Sequence, residues 1–260
     1  MIQQVSDRDS VLARSLADEA GEMLLRLRDE AMAQGLDATG LRAAGDSGAH
    51  ELLMRRLRHE RPEDAVLSEE GTDDSVRLSA RRVWIVDPLD GTREFGEPPR
   101  DDWAVHVALW QEGDLVAGAV ARPGTGTTYA TDHAPKPPTD HTGSIRLAVS
   151  RSRPPAFVTA LADHVGGTLV PMGSAGVKAS SVWEGVTDAY VHAGGQYEWD
   201  SAAPVAVARA AGLHTSRIDG SPLRYNRPDP LLPDLLICRA EIAERLLVAI
   251  ADLTTEETRT

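Results

Sequence analysis

Two α-and-β subdomains facing each other across a cleft are what this sequence predicts. Three observations carry that expectation. The first half reads as two helices followed by a meander of strands, whereas the second half alternates strands with helices. Between them lies "TDHAPKPPTDHTGS", residues 131–144, rich in Pro, Thr and His and suited to a linker or exposed loop. The expected division is 1–144 for an N-terminal α+β part and 145–260 for a C-terminal α/β part that completes the cleft.

Each element has its own signal. Leu12, Leu16, Ala20, Leu24 and Leu27 recur at helical spacing over residues 10–30 and predict an amphipathic helix. A second helix is expected after Asp46, with Leu52, Leu53 and Leu57 along one side. "DAVLSEEG" (64–71) and "RRVWIVDPLD" (81–90) hold short apolar runs bounded by Pro, Gly and charges, as strands do. "DDWAVHVALWQEGDLVAGAVARP" (101–123) predicts a hairpin that turns at Gln111-Glu112-Gly113-Asp114. In the second half "IRLAVS", "GTLVPM", "TDAYVHA" and "DLLICR" are strand-like, and they alternate with helical stretches at 154–165, 175–184, 200–211 and 240–252.

Composition excludes several classes. An apolar content of 42% with 26% charged residues fits a soluble globular chain. No run approaches 18 apolar residues, so no membrane span is expected, and "MIQQVSDRDS" lacks the basic and apolar regions of a signal peptide. The single cysteine, Cys238, excludes an internal disulfide, fits a reducing cytoplasm, and reads as a small core residue within "LLICR". A net charge of −13 argues against nucleic acid or anionic lipid as partner. Lysine occurs only at 136 and 178, against 25 arginines, which singles out both lysines.

The chemistry concentrates in "WIVDPLDGTREF", residues 84–95. Two carboxylates, Asp87 and Asp90, stand at the mouth of an apparently buried strand, a costly place for acids unless something positive sits on them. A hard cation such as Mg²⁺ takes oxygen ligands. Pro88 bends the chain, which can turn both carboxylates, and the Leu89 carbonyl, towards one point. Gly91 permits close backbone approach and Thr92 offers a hydroxyl. Taken alone, Asp-Pro-x-Asp-Gly is also ordinary turn and capping chemistry. Two further stretches place carboxylates at element ends: "VLSEEG" with Glu69 and Glu70, and "EWDSAAPVAVARAAG" with Asp200. Asp200 alone would read as a helix N-cap; the set of three stretches fits a two-metal phosphatase. No nucleophilic Ser, Cys or His is needed for such chemistry. His106, on the hairpin, reads as a packed structural residue.

Together, "SEE", "WIVDPLDGTREF" and "WDSAAPVAVARAAG" resemble, in order, the signatures of the inositol monophosphatase superfamily, over about Asp46 to Arg239. "VLSEE", "REF", "SRSR" (150–153), "GSAGVK" (173–178) and "GSPLRYN" (220–226) resemble its CysQ-type branch, which acts on 3′-phosphoadenosine 5′-phosphate. The resemblance implies a layered αβαβα fold and a Mg²⁺-dependent, lithium-sensitive phosphomonoesterase with two or three ions, commonly a homodimer. It also implies the roles. Glu69, Asp87 and the Leu89 carbonyl would hold a first metal; Asp87, Asp90 and Asp200 a second, with Glu70 in support. Thr92 would orient the attacking water, and the Gly91 and Thr92 amides would receive phosphate. Gly173, Ser174 and Lys178 would meet the rest of an adenosine bisphosphate. Apart from the resemblance, Arg151 and Arg153 join Lys178 as the cations available for its second phosphate, since arginine grips phosphate through a bidentate fork and lysine supplies a point charge; ordinary surface is the alternative reading of both stretches. The stretch "DATGLRAAGD" departs from the family's loop: Asp46 matches its final aspartate, Ala43 stands at the threonine position, and Asp37 is one residue out of place. A third metal position there, and a catalytic part for Asp46, therefore stay open. So do other substrates (inositol monophosphate, fructose 1,6-bisphosphate, histidinol phosphate) and a non-catalytic metal-dependent regulatory module.

Overall fold

Helix α1 (Ile2–Ala33) turns Leu12, Leu16, Ala20 and Leu24 inward, and α2 (Ala38–Glu60) turns Leu41, Ala49, Leu53 and Leu57 into the same core. The structure, a computed structural model, describes residues 2–139, 143–152 and 154–257. Both helices cover one face of a sheet built, in spatial order, from β1 (Ala65–Ser68), β2 (Arg82–Asp90), β3 (Ala104–Gln111), β4 (Asp114–Arg122) and β5 (Thr127–Ala130), with the short helix α3 (Thr92–Phe95) following β2. β1 runs parallel to β2, and the remaining pairs are antiparallel. Glu112 and Gly113 both adopt positive φ in the tight turn between β3 and β4, the conformation that matches the twist of a two-residue hairpin.

Alternation along the strands decides what packs on each face. Val105, Val107 and Leu109 of β3 point to α1 and α2, while Ala104 and Ala108 point to the other side. That side receives α5 (Ala175–Trp183) and α6 (Glu198–Ala210). These two helices are in turn covered by a second sheet, ordered β7 (Thr168–Met172), β6 (Arg146–Ser150), β8 (Ala189–Tyr197), β10 (Leu231–Cys238), β9 (His214–Ser216). Helices α4 (Ala156–Val165) and α7 (Ala243–Glu257) close its outer face around Leu147, Val191, Leu236 and the buried Cys238. The layers thus run αβαβα, as the resemblance implied. Among the described residues, no helix is long and apolar enough to cross a membrane.

Four elements differ from expectation. Helix α2 starts at Ala38, not after Asp46, because Asp37 caps it: its side chain accepts from the Gly40 N–H at 2.7 Å. Asp46 is therefore inside a helix. Gly45, within this helix, is a close-contact residue, since a Cβ there would lie 2.7 Å from Phe95 and 2.9 Å from Leu89. Strand β8 runs on through Gly194 and Gly195 to Tyr197, and the short edge strands β5 and β9 carried too few residues to announce themselves.

Helix α6 lies unusually near its sheet. A Cβ on Gly118 would sit 2.6 Å from the Ala206 Cβ and 3.2 Å from the Ala203 carbonyl. Gly118→Val should therefore push α6 outward and destabilise the chain by about 1–3 kcal/mol, the usual cost of overpacking. A thermal melt checks this: an unchanged midpoint would mean that the helix does not seat this closely.

Candidate active site

Residues three apart on a regular strand face opposite sides of the sheet. Asp87 and Asp90 do not, because the pairing of β2 with β3 slips between them: Asp87 lies opposite His106, but Asp90 opposite Ala104. Three steps on one strand against two on the other is a bulge, and Pro88, which has no N–H to give the ladder, sits inside it. The bulge turns both carboxylates the same way. Asp87 accepts from the Leu89 N–H at 3.0 Å. The parallel pairing of β1 and β2 then sets the end of β1 beside Asp87, with the Glu69 N–H donating to the Val86 carbonyl at 3.3 Å.

Asp90 meets the start of α5. Its oxygens accept from the Ala175 N–H (3.0 Å), the Gly176 N–H (2.6 Å) and the Ser174 hydroxyl, and one lies 3.2 Å from His106 Nε2. Burial pushes this carboxyl up, but the charge of His106, its hydrogen bond and the charge of Lys178 outweigh that and hold it below the usual carboxylate range. Burial likewise opposes a proton on His106, yet Asp90 raises its pKa overall. Gly176 is obligatory here, since a Cβ would come within 2.1 Å of His106 Nε2. The second helix of the middle layer, α6, brings Asp200 in its first turn, where the side chain accepts from the Tyr197 N–H at 2.6 Å. An oxygen from each of Asp87, Asp90 and Asp200 lies within 4.8 Å of the other two.

Like charges this close do not all ionise. Burial, then the charges of Glu69 and Asp90, push Asp87 well up. Asp200 is pushed up to about 6 by burial and then Asp90. Glu69, open to solvent at the rim, is pushed up to about 7 by desolvation of its carboxyl and then by Asp200. Asp46 rises to about 6 through burial and the charge of Glu70. An all-oxygen donor set with suppressed ionisation suits a hard divalent cation, whose charge would replace the bound protons.

The remaining expected residues fall as follows. Thr92 Oγ1 lies 3.0 Å from the Leu89 carbonyl and 3.1 Å from Asp46 Oδ1, so α2 does deliver Asp46 to this point. Gly91 has φ of +85°, and a Cβ there would press on Ser174 at 3.1 Å, so glycine is required twice over. Gly173 donates its N–H to Asp102 at 2.7 Å. Lys178 is buried: its ammonium donates to the carbonyls of Gly173 (3.2 Å) and Ser174 (2.5 Å) and lies 5.4 Å from the centre of the Tyr190 ring. Arg151 donates to Glu94 (2.7 Å) and Glu97 (3.0 Å), and Glu94 abuts Gly173. Arg153 lies outside the described residues. Sequence reasoning missed Asp102 and undervalued His106. The signal for His106 was available: strand alternation puts it on the face of Ala104 and Ala108, towards the carboxylates.

Comparison with known proteins bears on this geometry. A family model described as "Inositol monophosphatase family" matches residues 7–255. A relative named 3′-phosphoadenosine 5′-phosphate phosphatase from Mycobacterium bovis is 54% identical over 243 residues, covering 90% of each chain. Its namesake from Mycobacterium leprae is 50% identical over 262 residues, covering 94% of each. Among solved structures, CysQ from Bacteroides thetaiotaomicron is similar with a TM-score of 0.76 and 28% identity, over 90% of this chain and 97% of that one.

The raised carboxyls set a pH dependence. Glu69 at about 7, with Asp46 and Asp200 at about 6, bind protons in the folded chain that the unfolded chain, titrating near 4, releases earlier. Between about pH 4 and 7 the folded state holds more protons, so stability without metal falls as pH rises through that window. Chelated protein should melt lower at pH 8 than at pH 5, and an added divalent cation should raise the midpoint more at pH 8. A midpoint that climbs from pH 5 to 8 under chelation would contradict this assignment.

Proposed function

The chain belongs to the inositol monophosphatase family, and from that premise we propose that it is a Mg²⁺-dependent phosphatase that removes the 3′-phosphate of 3′-phosphoadenosine 5′-phosphate, leaving adenosine 5′-phosphate. One observation carries the chemistry: three carboxylates from two separate elements stand within 4.8 Å of one another, and two of them, Asp87 and Asp200, are under-ionised. The choice of substrate follows the relatives, which share half or more of their residues with this chain over nearly its whole length. The lone buried cysteine supports work in a reducing cytoplasm.

Asp87, Asp90 and Asp200, with Glu69 and the Leu89 carbonyl beside them, would hold the cations. When bound, such ions neutralise phosphoryl oxygens and acidify water. The chain's own groups do the rest. Thr92 has one hydroxyl hydrogen for two acceptors, Asp46 and the Leu89 carbonyl, and keeps a lone pair for an incoming water. As that water attacks phosphorus, its proton passes to Thr92 Oγ1 while the hydroxyl hydrogen goes to Asp46, which at about 6 is poised to take it. The bond from phosphorus to the ribose 3′-oxygen breaks in the same displacement, and the departing oxygen takes a proton from solvent water to leave as the 3′-hydroxyl. The first-turn amides of α5 at Ala175 and Gly176 donate to Asp90, and Asp200 lies in the first turn of α6. The positive ends of both helix dipoles thus stand beside the carboxylates, where negative charge builds.

Two measurements test this reading. Asp90→Asn keeps the shape but removes the one of the three clustered aspartates held charged, and should lower kcat by about 10²–10³-fold, the scale for deleting one preorganised electrostatic group. A rate near wild type in a phosphate-release assay would overturn the metal assignment. The second concerns the 5′-phosphate. Lys178 is committed to the Gly173 and Ser174 carbonyls, so Lys178→Ala should damage all substrates alike by loosening the turn that holds Asp90. Arg151, part-exposed at the rim, is the better cation for a second phosphate. Arg151→Ala should cost about 1.5–3 kcal/mol in kcat/KM on the bisphosphate, the range for a hydrogen bond to a charged group, and little on inositol 1-phosphate. Equal losses on both substrates would remove Arg151 from the site, and a wild type that prefers inositol 1-phosphate would overturn the substrate.

A further inference from the structure

Tyr197 is out of place by ordinary packing rules. It ends β8 immediately before α6, is 46% exposed, and lies flat on Trp199, with ring centres 4.6 Å apart and planes inclined by 7°. Among the described residues its hydroxyl makes no hydrogen bond. One face of the ring is covered by the indole, and nearly half of the residue's surface still meets solvent. A tyrosine kept for the core would be buried, and one kept for its hydroxyl would be bonded.

The site's own backbone fixes this ring. The Tyr197 N–H donates to Asp200 at 2.6 Å, and the carbonyl of Trp199 lies 3.2 Å from His106 Nδ1, whose other nitrogen touches Asp90. The stacked pair is therefore tied at both ends to the carboxylates that surround the reacting phosphate. The approach beside it is bare: Gly194 and Gly195 precede Tyr197, and a Cβ at Gly194 would meet nothing within 4 Å. A flat, rigid, half-wet aromatic face within a few residues of a phosphoryl site suits a planar ring carried on the same molecule as the phosphate.

We propose that Tyr197, braced by Trp199, is the platform on which the purine base of the substrate stacks, and so a specificity determinant that favours nucleotides over phosphates without a base. This rests on the nucleotide reading above. The experiment measures kcat and KM for 3′-phosphoadenosine 5′-phosphate and for inositol 1-phosphate with wild type, Tyr197→Ala and Tyr197→Phe. Tyr197→Ala should lose about tenfold to a hundredfold in kcat/KM on the nucleotide, the range for one base on one aromatic ring, mostly as a higher KM. It should leave inositol 1-phosphate unchanged, and Tyr197→Phe should behave as wild type on both. A loss shared equally by the two substrates makes Tyr197 structural and overturns the proposal, as does Tyr197→Ala with full nucleotide activity. A loss in Tyr197→Phe as large as in Tyr197→Ala would move the role to the hydroxyl and overturn the stacking. A wild type without activity on the nucleotide would instead sink the substrate reading itself, and this proposal with it.

Discussion

Repulsion between carboxylates is the constraint on which the rest of this structure depends. Asp87, Asp90 and Asp200 crowd into a space where their oxygens are within 4.8 Å of each other. Two like unit charges 4 Å apart repel by about 4 kcal/mol at an effective dielectric of 20. The chain meets this unequally. Asp90 is given two amides, a hydroxyl, His106 and the field of Lys178, and remains an anion. Asp87, Asp200 and Glu69 receive less and retain protons that a cation would displace. Asp90 thus fixes the geometry, while its neighbours keep the capacity to bind.

The layer order follows from that need. Two helix N-termini must reach one point below the first sheet, which forces α5 and α6 into the middle layer. Helices approach a sheet so closely only where side chains are small. Gly118 and Ala206 provide this for α6, and Gly176 provides it for α5 beneath His106. The larger residues of the same strands, Val105, Val107 and Leu109, are sent to the opposite face, where α1 and α2 have room for them.

A second network fixes the rim. Arg77, buried just beyond the Glu69–Glu70 pair, donates to Asp73, to Asn226 Oδ1 at 2.8 Å and to the Arg227 carbonyl at 2.9 Å. Glu198, pushed up to about 7 by burial, accepts from the N–H groups of Asn226 and Arg227 at 2.7 and 2.8 Å. The segment after β1, the loop before β10 and the first turn of α6 are locked together two residues from Asp200. Removing one partner would strand a buried charge, the expensive kind of loss.

The sequence by itself determined the chemistry. Oxygen ligands at three element ends, an aspartate pair around a proline, and a glycine-threonine pair behind it are local patterns, and local patterns survive in one dimension. It also determined the longer strands, the hairpin and most helices, since their apolar periodicity is written residue by residue. What only the tertiary structure decided are relations across the chain. No spacing rule tells that Lys178 turns inward to two carbonyls, that Gly45 brings Asp46 to Thr92, or that Asp90 caps a helix 85 residues away. Nor could it tell that Tyr197 lies exposed on Trp199. The physical reason is the same in each case. Burial and close approach depend on which layers meet, and that is settled by packing the whole chain, not by any segment's own preference.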